Sequence, residues 1–284
     1  MPGPETKHIN LYLDLMEKAL TASIYEESAW QLIRPKEQDI GGLAHPLVFC
    51  RTLLRNIITK RICKDSIRLV NTAPFCQTMR ESGEDWPLFG YSMTGLKRLR
   101  NIRMCIEDVL ANQVPGDFIE TGVWRGGSVI FMRAVLQAYD VTDRRIWAAD
   151  SFEGMPAPKN AEDGADLSQS DFLNVSLDQV KENFSRFGLL DGQVEFLKGW
   201  FCDSLPQAPI GKLAILRLDG DMYSSTMDAL THLYHKVSKG GYVIVDDYHS
   251  WPSCRRAVTE FLADSSLSPE ITPIDNQSVF WRCE

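Results

Sequence analysis

Short β-type apolar runs alternate with helical segments from residue 117 onward, and this alternation constrains the fold more than any other feature. Such alternation is typical of a parallel sheet whose strands are joined by crossover helices. Two further short runs on either side of Asp275-Asn-Gln predict a terminal antiparallel hairpin. The sequence therefore predicts an α/β fold with a mostly parallel seven-stranded sheet. The predicted strands are 117–120, 145–149, 194–197, 213–218, 242–245, 271–274 and 278–281, with helices over 128–139 and 225–237.

The part of the chain between residues 10 and 110 is predicted to be mainly helical. Asn10 is the predicted N-cap of a first helix, and Gly41-Gly42 and Pro46 are predicted to interrupt the chain after it. A last helix is predicted over 93–110, directly before the alternation begins.

An amphipathic segment covers residues 47–70, with apolar side chains at helical spacing on one face and basic side chains on the other. It is either a helix packed on the main domain with a solvated basic face, a docking surface for an acidic partner, or a lid over a substrate. We expect residues 1–92 to form a helical N-terminal extension that serves as a substrate lid, and residues 93–284 to form the ligand-binding α/β domain.

The composition is acidic, with 30 Lys and Arg against 38 Asp and Glu and a formal net charge of -8. This balance disfavours a polyanionic partner such as nucleic acid. No run approaches the roughly 18 apolar residues that a membrane span requires. The seven cysteines include no C-x-x-C pair and fit neither a zinc ribbon nor a complete disulfide framework. We expect a cytoplasmic protein without nucleic-acid or membrane partners, which self-associates into a homo-oligomer through its N-terminal helices.

A glycine-rich turn, Glu120-Thr-Gly-Val-Trp-Arg-Gly-Gly127, follows the first strand of the alternation. Such a turn lets a ligand approach the backbone, but its spacing is not the G-x-G-x-x-G that binds a pyrophosphate. The second strand ends in Asp150, whose carboxylate can accept hydrogen bonds from a ribose diol. Glu120 would suit the ammonium and sulfonium groups of S-adenosylmethionine. The sequence therefore favours this methyl donor; the alternative is that Glu120 and Asp150 only cap loops.

Four acids follow two strands that should be parallel neighbours: Asp219 and Asp221 after one, Asp246 and Asp247 after the next. Because the carboxyl ends of parallel strands meet at one edge, these acids should converge, and a hard divalent cation is the simplest compensation for their charge. The sequence predicts Mg²⁺, or Mn²⁺ in its place; the alternative is that the acids are helix N-caps. A metal beside a methyl donor, with a free carboxylate as base, predicts O-methyl transfer.

At these residues the chain resembles the macrocin O-methyltransferase family, Mg²⁺-dependent enzymes that methylate sugar hydroxyls of macrolide and aminocoumarin antibiotics. The resemblance implies a Rossmann-like class I methyltransferase fold. The similar segments are Leu11-Tyr-Leu-Asp-Leu, Ser82-Gly-Glu-Asp-Trp-Pro, Met93-Thr-Gly-Leu-Lys-Arg-Leu, Glu120-Thr-Gly-Val-Trp-Arg-Gly-Gly, Ala149-Asp-Ser-Phe-Glu-Gly, Asn183-Phe-Ser-Arg-Phe-Gly-Leu-Leu-Asp, Gly199-Trp-Phe, Leu218-Asp-Gly-Asp-Met-Tyr and Val245-Asp-Asp-Tyr.

The resemblance assigns roles to individual residues. By it, Asp219, Asp246 and Asp247 look like the metal ligands and Asp221 like the general base. The residues that fall where the family holds S-adenosylmethionine are Ser92, Met93, Glu120, Thr121, Gly122, Trp124, Asp150, Ser151, Trp200 and Asp219.

The sequence constrains the identity of the methyl acceptor less than that of the donor. The resemblance implies a sugar hydroxyl of a glycosylated natural product, with a phenol, as in catechol-type enzymes, or a free or nucleotide-linked sugar as alternatives. Tyr223 and His249 are candidate acceptor contacts, and residues 30–80 match no segment of the family that we identify. Two hypotheses from other classes are a nicotinamide-dependent oxidoreductase and a non-catalytic cofactor-binding protein.

Overall fold

The structure is a computed structural model that describes residues 4–31, 71–164, 166–168 and 170–284. The interruption predicted at Gly41-Gly42 and Pro46, and the amphipathic helix predicted over 47–70, lie outside the described residues.

The described N-terminal residues form a long helix followed by a small antiparallel sheet of three strands in the order β2-β1-β3. The helix begins at Pro4, so Asn10 lies inside it and is not its N-cap, which corrects the prediction. The small sheet is also absent from the sequence-based description, because two- and three-residue strands carry no periodicity to detect. The elements are α1 (Pro4–Leu20), β1 (Ala29–Gln31), β2 (Asn71–Ala73), α2 (Gln77–Ser82) and β3 (Trp86–Pro87).

From residue 95 onward, helices surround a seven-stranded sheet with the order β6-β5-β4-β7-β8-β10-β9. The first five of these strands are parallel, and the terminal hairpin is antiparallel, as predicted. The elements, in chain order, are α3 (Gly95–Ala111), β4 (Asp117–Thr121), α4 (Gly127–Ala138), β5 (Ile146–Asp150), α5 (Leu177–Arg186), β6 (Val194–Lys198), α6 (Phe201–Ser204), β7 (Leu213–Leu218), α7 (Tyr223–Leu233), β8 (Val237–Val245), α8 (Pro252–Asp264), β9 (Thr272–Pro273) and β10 (Val279–Arg282).

Two helices that the sequence analysis did not assign begin at recognisable local signals. The Ser176 side chain accepts a hydrogen bond from the backbone N–H of Gln179 and caps α5. Pro252 occupies the first turn of α8, where its missing N–H costs nothing.

The sheet separates two hydrophobic clusters. One contains buried side chains of α1, α3 and α4, including Leu13, Leu99 and Phe131. The other contains buried side chains of α7 and α8, including Leu230 and Val258. Because α1 contributes fully buried residues to the first cluster, this helix is part of the main core rather than a detached cover. The predicted division between residues 92 and 93 otherwise stays a prediction.

The strand order changes direction between β4 and β7, since β5 and β6 lie on one side of β4 and β8 lies on the far side of β7. In open α/β sheets, ligands bind in the crevice at the carboxyl ends of strands at such a switch point. The fold thus places Glu120 and Thr121 of β4 beside the residues that follow β7 and β8.

Candidate active site

Arg217 is the central charged residue at the switch point, and its side chain is fully buried in β7. It lies opposite Glu120 in the β4–β7 register. Its guanidinium donates hydrogen bonds to the carboxylates of Glu120, Asp219 and Asp246, and to the Thr94 hydroxyl at 3.2 Å. Three adjacent strands therefore present acids to one permanent cation.

Arg98 of α3 adds a second buried guanidinium on the far side of Asp246. It donates to Asp246 at 2.5 Å and to Asp275 of the hairpin turn at 2.8 Å. A third donation reaches the backbone carbonyl of Ser82 at 3.2 Å. Both carboxylate oxygens of Asp246 are thus engaged by arginines, and Arg98 ties the acid cluster to the N-terminal extension.

Asp219, Asp246 and Asp247 converge as the sequence predicts: one carboxylate oxygen from each lies within 4.8 Å of the others. Burial raises the pKa of Asp219 and of Asp247, and the neighbouring carboxylates raise both further. The two arginines do not balance this charge, because Asp221 and Glu120 line the same cavity and Arg98 is also paired with Asp275. Carboxylate oxygens are hard donors, and a cluster of them with excess negative charge fits a divalent cation such as Mg²⁺.

Asp221 lies beside this triad in a left-handed backbone conformation, with φ of 56°. Its N–H donates to Asp247 Oδ2 at 3.3 Å, and its carbonyl accepts from the Ser253 hydroxyl at 3.2 Å. Burial, with contributions from Asp219 and Asp246, raises the pKa of Asp221 to about 7. A non-glycine residue held in this conformation stores strain of about 1–3 kcal/mol, a feature that clusters at functional sites.

The glycines of the turn allow close contacts with other segments of the same chain. A Cβ on Gly122 would lie 1.7 Å from the carbonyl oxygen of Asp219, and one on Gly127 would lie 2.4 Å from Ser92 Cβ. Gly126 has φ of 92° and faces Val180. The turn therefore requires glycine because it presses against the Asp219 loop and the Ser92 loop, in addition to any approach by a ligand.

Asp150, at the end of β5, holds the glycine turn in place. Its carboxylate accepts hydrogen bonds from the N–H groups of Val123 at 2.6 Å and Phe152 at 2.7 Å, and from the Ser151 hydroxyl at 3.4 Å. Burial raises its pKa despite these hydrogen bonds. The Trp124 N–H also donates to this carboxylate at 3.4 Å, so each oxygen accepts one short hydrogen bond and one of 3.4 Å. Asp150 therefore orders the turn, and a ligand hydroxyl would replace one of the two long contacts.

Glu120 is the acid that the sequence places at this turn, and the structure pairs it with Arg217. Burial nevertheless raises the pKa of Glu120 to about 8. Its Oε2 atom is buried without a hydrogen-bond partner among the described residues. An unpartnered buried acceptor of this kind fits a donor group of a bound ligand.

Two cavities open at this edge of the sheet, and Asp219 lines both. The larger has a volume of about 500 Å³ and the smaller about 310 Å³. Of the predicted cofactor residues, Ser92, Met93, Glu120 and Trp124 line the larger cavity; Gly122, Asp150, Ser151 and Trp200 line the smaller one. Asp221, Asp246 and Asp247 also line the larger cavity.

Three predicted residues, Thr121, Tyr223 and His249, do not line either cavity. Thr121 is buried and donates to the carbonyl of Arg217 at 3.5 Å. The Tyr223 hydroxyl donates to Glu260 at 2.7 Å, and His249 stacks edge-on against Tyr248. The cavity wall near the acids is formed instead by Ser250, Trp251 and Gln277.

The two arginines are the main functional residues that sequence reasoning missed. Arg217 does carry a signal in the sequence. It is the only charged residue in the run Leu213–Leu218, and Asp219 follows it two positions later. Arg98 belongs to the shared segment Met93-Thr-Gly-Leu-Lys-Arg-Leu, but its pairing with Asp246, 148 residues away in the sequence, has no local signal.

Comparison with known proteins identifies relatives of this chain. A family model described as macrocin-O-methyltransferase (TylF) matches residues 9–283. The chain belongs to the macrocin O-methyltransferase family. This membership confirms the predicted resemblance and the enzyme class, an O-methyltransferase, against the oxidoreductase and non-catalytic hypotheses. The match spans residues 30–80, for which the sequence analysis identified no matching segment.

Three O-methyltransferases are similar to this chain over most of their length. The chain is 44% identical to demethyldecarbamoylnovobiocin O-methyltransferase of Streptomyces niveus, over 96% of this chain and 93% of that protein. It is 48% identical to mycinamicin III 3''-O-methyltransferase of Micromonospora griseorubida, over 81% and 94%. It is 46% identical to 8-demethyl-8-(2,3-dimethoxy-alpha-L-rhamnosyl)-tetracenomycin-C 4'-O-methyltransferase of Streptomyces olivaceus, over 96% and 92%.

Solved structures confirm the class I methyltransferase fold. The structure of the O-methyltransferase NovP superposes with a TM-score of 0.81 at 43% identity, over 97% of this chain and 99% of that one. The calicheamicin methyltransferase CalS11 shares the fold alone, with a TM-score of 0.57 at 20% identity over 89% and 95% of the two chains.

Proposed function

We propose that this protein transfers the methyl group of S-adenosylmethionine to a sugar hydroxyl of a glycosylated natural product, in a Mg²⁺-dependent reaction of antibiotic tailoring. The observation that carries the proposal is the position of Asp219, which lines both cavities and belongs to the carboxylate triad. A donor that spans the two cavities would pass directly beside the acids.

The smaller cavity suits the nucleoside of the donor. Its lining combines the Asp150 carboxylate with Trp200, Phe201 and Met155, so a ribose diol and the faces of an adenine would both find complementary groups. The unpartnered Oε2 of Glu120, in the larger cavity, suits the ammonium group of the methionine part.

The triad residues Asp219, Asp246 and Asp247 would hold Mg²⁺, which when bound would lower the pKa of an acceptor hydroxyl. Arg217 fixes the orientation of Asp219 and Asp246 through ion pairs, and Arg98 forms a second ion pair with Asp246. Asp221, beside the triad, would take the proton of that hydroxyl as the oxygen attacks the methyl carbon, and the bond from this carbon to the sulfonium sulfur would break to release S-adenosylhomocysteine.

Two of the relatives are named for reactions on glycosylated compounds, which supports this acceptor class. The N-terminal extension forms part of the proposed acceptor site. Its residues Ala29, Ala73 and Trp86 line the larger cavity together with the acids, which supports this role. We therefore assign the extension to acceptor enclosure.

The test supplies isotopically labelled S-adenosylmethionine, Mg²⁺ and three acceptors: demethyldecarbamoylnovobiocin, mycinamicin III and 8-demethyl-8-(2,3-dimethoxy-α-L-rhamnosyl)-tetracenomycin C. Mass spectrometry detects transfer, and NMR of the product locates the methyl group. We expect at least one acceptor to be methylated on a sugar oxygen. Transfer to a phenol, or no transfer to any of the three, would contradict the proposal.

A further inference from the structure

The larger cavity is lined by residues of the N-terminal extension as well as by the acid triad. We call its lining residues Ala29, Ala73, Met79, Asp85 and Trp86 the extension wall. Two of them, Asp85 and Trp86, belong to the segment Ser82-Gly-Glu-Asp-Trp-Pro87, which the sequence analysis describes only as a shared motif.

Asp85 is a buried, fixed carboxylate with spare acceptor capacity. Its side chain is 4% exposed, and Oδ1 accepts from Arg80 Nε at 2.7 Å. Arg80 is fixed in turn, because its other nitrogens donate to the carbonyls of Thr21 at 2.8 Å and Glu27 at 2.9 Å. Oδ2 of Asp85 has no hydrogen-bond partner among the described residues. Leaving such an oxygen unpaired is costly, so it fits a ligand donor.

Trp86 supplies an apolar surface next to this carboxylate. Its ring stacks on Phe172 with the two planes 2° apart and the centroids 5.4 Å apart, and Phe172 also contacts Trp124 at 5.3 Å. The ring orientation is therefore fixed by packing. Trp86 is half-buried and lines the cavity, so part of the indole is available to a ligand.

The motif is coupled to the acid triad through Arg98. The same guanidinium donates to Asp246 at 2.5 Å and to the carbonyl of Ser82 at 3.2 Å. A Cβ on Gly95 would lie 2.3 Å from the backbone nitrogen of Gly83, so the chain after Ser82 is packed tightly against the start of α3. Asp85 and Trp86 line the same cavity as the triad, so an acceptor with one hydroxyl at the triad could extend toward them.

We propose that Asp85 and Trp86 form a sugar-recognition subsite that sets acceptor specificity. Oδ2 of Asp85 accepts a hydrogen bond from a sugar hydroxyl other than the one that is methylated, and the Trp86 indole packs against the C–H face of the ring. The inference rests on the proposed function, because it takes the acceptor to be a sugar, and it adds two residues that recognise that sugar.

The first test is Asp85→Asn, assayed with the acceptor of the three that the wild type methylates fastest. The amide keeps an oxygen for Arg80 and places an NH₂ group where Oδ2 was, so a charge-assisted hydrogen bond is lost. We expect KM for the acceptor to rise about tenfold or more, with KM for S-adenosylmethionine changed less than about twofold. A rise in the KM of the methyl donor instead would overturn the assignment.

The decisive comparison uses monodeoxy derivatives of that acceptor, each lacking one hydroxyl of the reacting sugar. The wild type should discriminate against one derivative by about tenfold or more in kcat/KM, and Asp85→Asn should lose that discrimination. A merely structural effect of the substitution would lower kcat/KM equally for all acceptors, which would contradict the subsite.

A second variant, Trp86→Leu, covers the case in which Asp85→Asn does not fold. It should raise KM for the parent acceptor and for all its deoxy derivatives by a similar factor, and leave KM for S-adenosylmethionine unchanged. Glu81→Gln, an acid-to-amide change in α2 outside the cavity lining, is the matched control. Unchanged acceptor constants in Trp86→Leu would contradict the subsite alone, whereas lack of methyl transfer by the wild type would contradict the proposed function.

Discussion

Arg217 shows how a single buried side chain can organise a site made from several strands. Glu120, Asp219 and Asp246 come from segments more than 120 residues apart at the extremes, yet all three accept from this guanidinium. A buried charge is tolerated only when it is paired and hydrogen-bonded. We therefore expect Arg217 to be needed for the assembly of the acid cluster as well as for its charge balance.

Arg217→Met should lower the free energy of unfolding by about 3–5 kcal/mol, because removal of one partner leaves buried carboxylates unpaired. Urea denaturation followed by circular dichroism measures the change. Arg145→Met is the matched control, since the Arg145–Glu195 pair is exposed and such pairs contribute about 1 kcal/mol or less. Similar losses in the two variants would contradict the central role of Arg217.

Asp221→Asn should lower kcat by about 10²–10⁴-fold, because the amide cannot accept the hydroxyl proton as a base. KM for the methyl donor should change little, and the unfolding midpoint should stay close to that of the wild type. Asp264→Asn, at the exposed end of α8, serves as the control. If kcat of Asp221→Asn stayed within about threefold of the wild-type value, the loss would be too small for a general base, and Asp221 would not have that role.

At the scale of elements, the glycine turn between β4 and α4 and the loop after β7 determine each other's position. The N–H of Asp219 donates to the carbonyl of Thr121 at 2.9 Å, and Gly122 allows the two backbones to approach. The turn therefore positions a proposed metal ligand as well as the proposed donor site.

Gly122→Ala should be strongly destabilising, because its φ of 91° disfavours an L residue and the new Cβ would lie 1.7 Å from the Asp219 carbonyl oxygen. We expect a loss of about 3 kcal/mol or more in the free energy of unfolding, together with weaker S-adenosylmethionine binding by calorimetry. In the control Gly192→Ala, a Cβ would meet nothing within 4 Å. Stability equal to that of the control would mean that the turn is less tightly packed than described.

A second element-level prediction concerns Arg133 of α4 and Asp191 before β6. The Arg133 guanidinium donates to Asp191 and lowers the pKa of that carboxyl. A carboxyl whose pKa is lower in the folded state stabilises the fold above its unfolded-state pKa, and this stabilisation is lost as the pH falls through the folded-state value. Wild type should be more stable than Asp191→Asn at pH 7, and the difference in unfolding midpoint should shrink toward pH 3. A difference independent of pH would contradict the ion pair.

At the scale of the whole molecule, the sequence predicts the backbone arrangement better than the electrostatics of the site. The strands of the parallel sheet were predicted within a residue or two, except that β8 begins at Val237 rather than near Tyr242. Convergence of Asp219, Asp246 and Asp247 followed from strand adjacency alone. The counter-ions did not, because Arg98 reaches the cluster from α3 through tertiary packing.

Tertiary packing, which the sequence does not reveal, also determines which residues line the proposed acceptor site. Tyr223 and His249 are near the acids in sequence, but the helix and loop that carry them direct their side chains to Glu260 and Tyr248. Asp85 and Trp86 are distant in sequence and reach the cavity through the small N-terminal sheet. The helices in the described part of the chain include none that could span a membrane. Self-association stays a prediction.

The central claim is that Asp219, Asp246 and Asp247 gather around a divalent cation that methyl transfer requires. The most direct measurement is the rate of transfer from labelled S-adenosylmethionine to the best acceptor, in enzyme treated with excess EDTA and then returned to Mg²⁺. We predict that chelation abolishes turnover, that Mg²⁺ restores it in the wild type, and that it does not do so in Asp247→Asn. Full turnover of the wild type in excess EDTA would contradict the account.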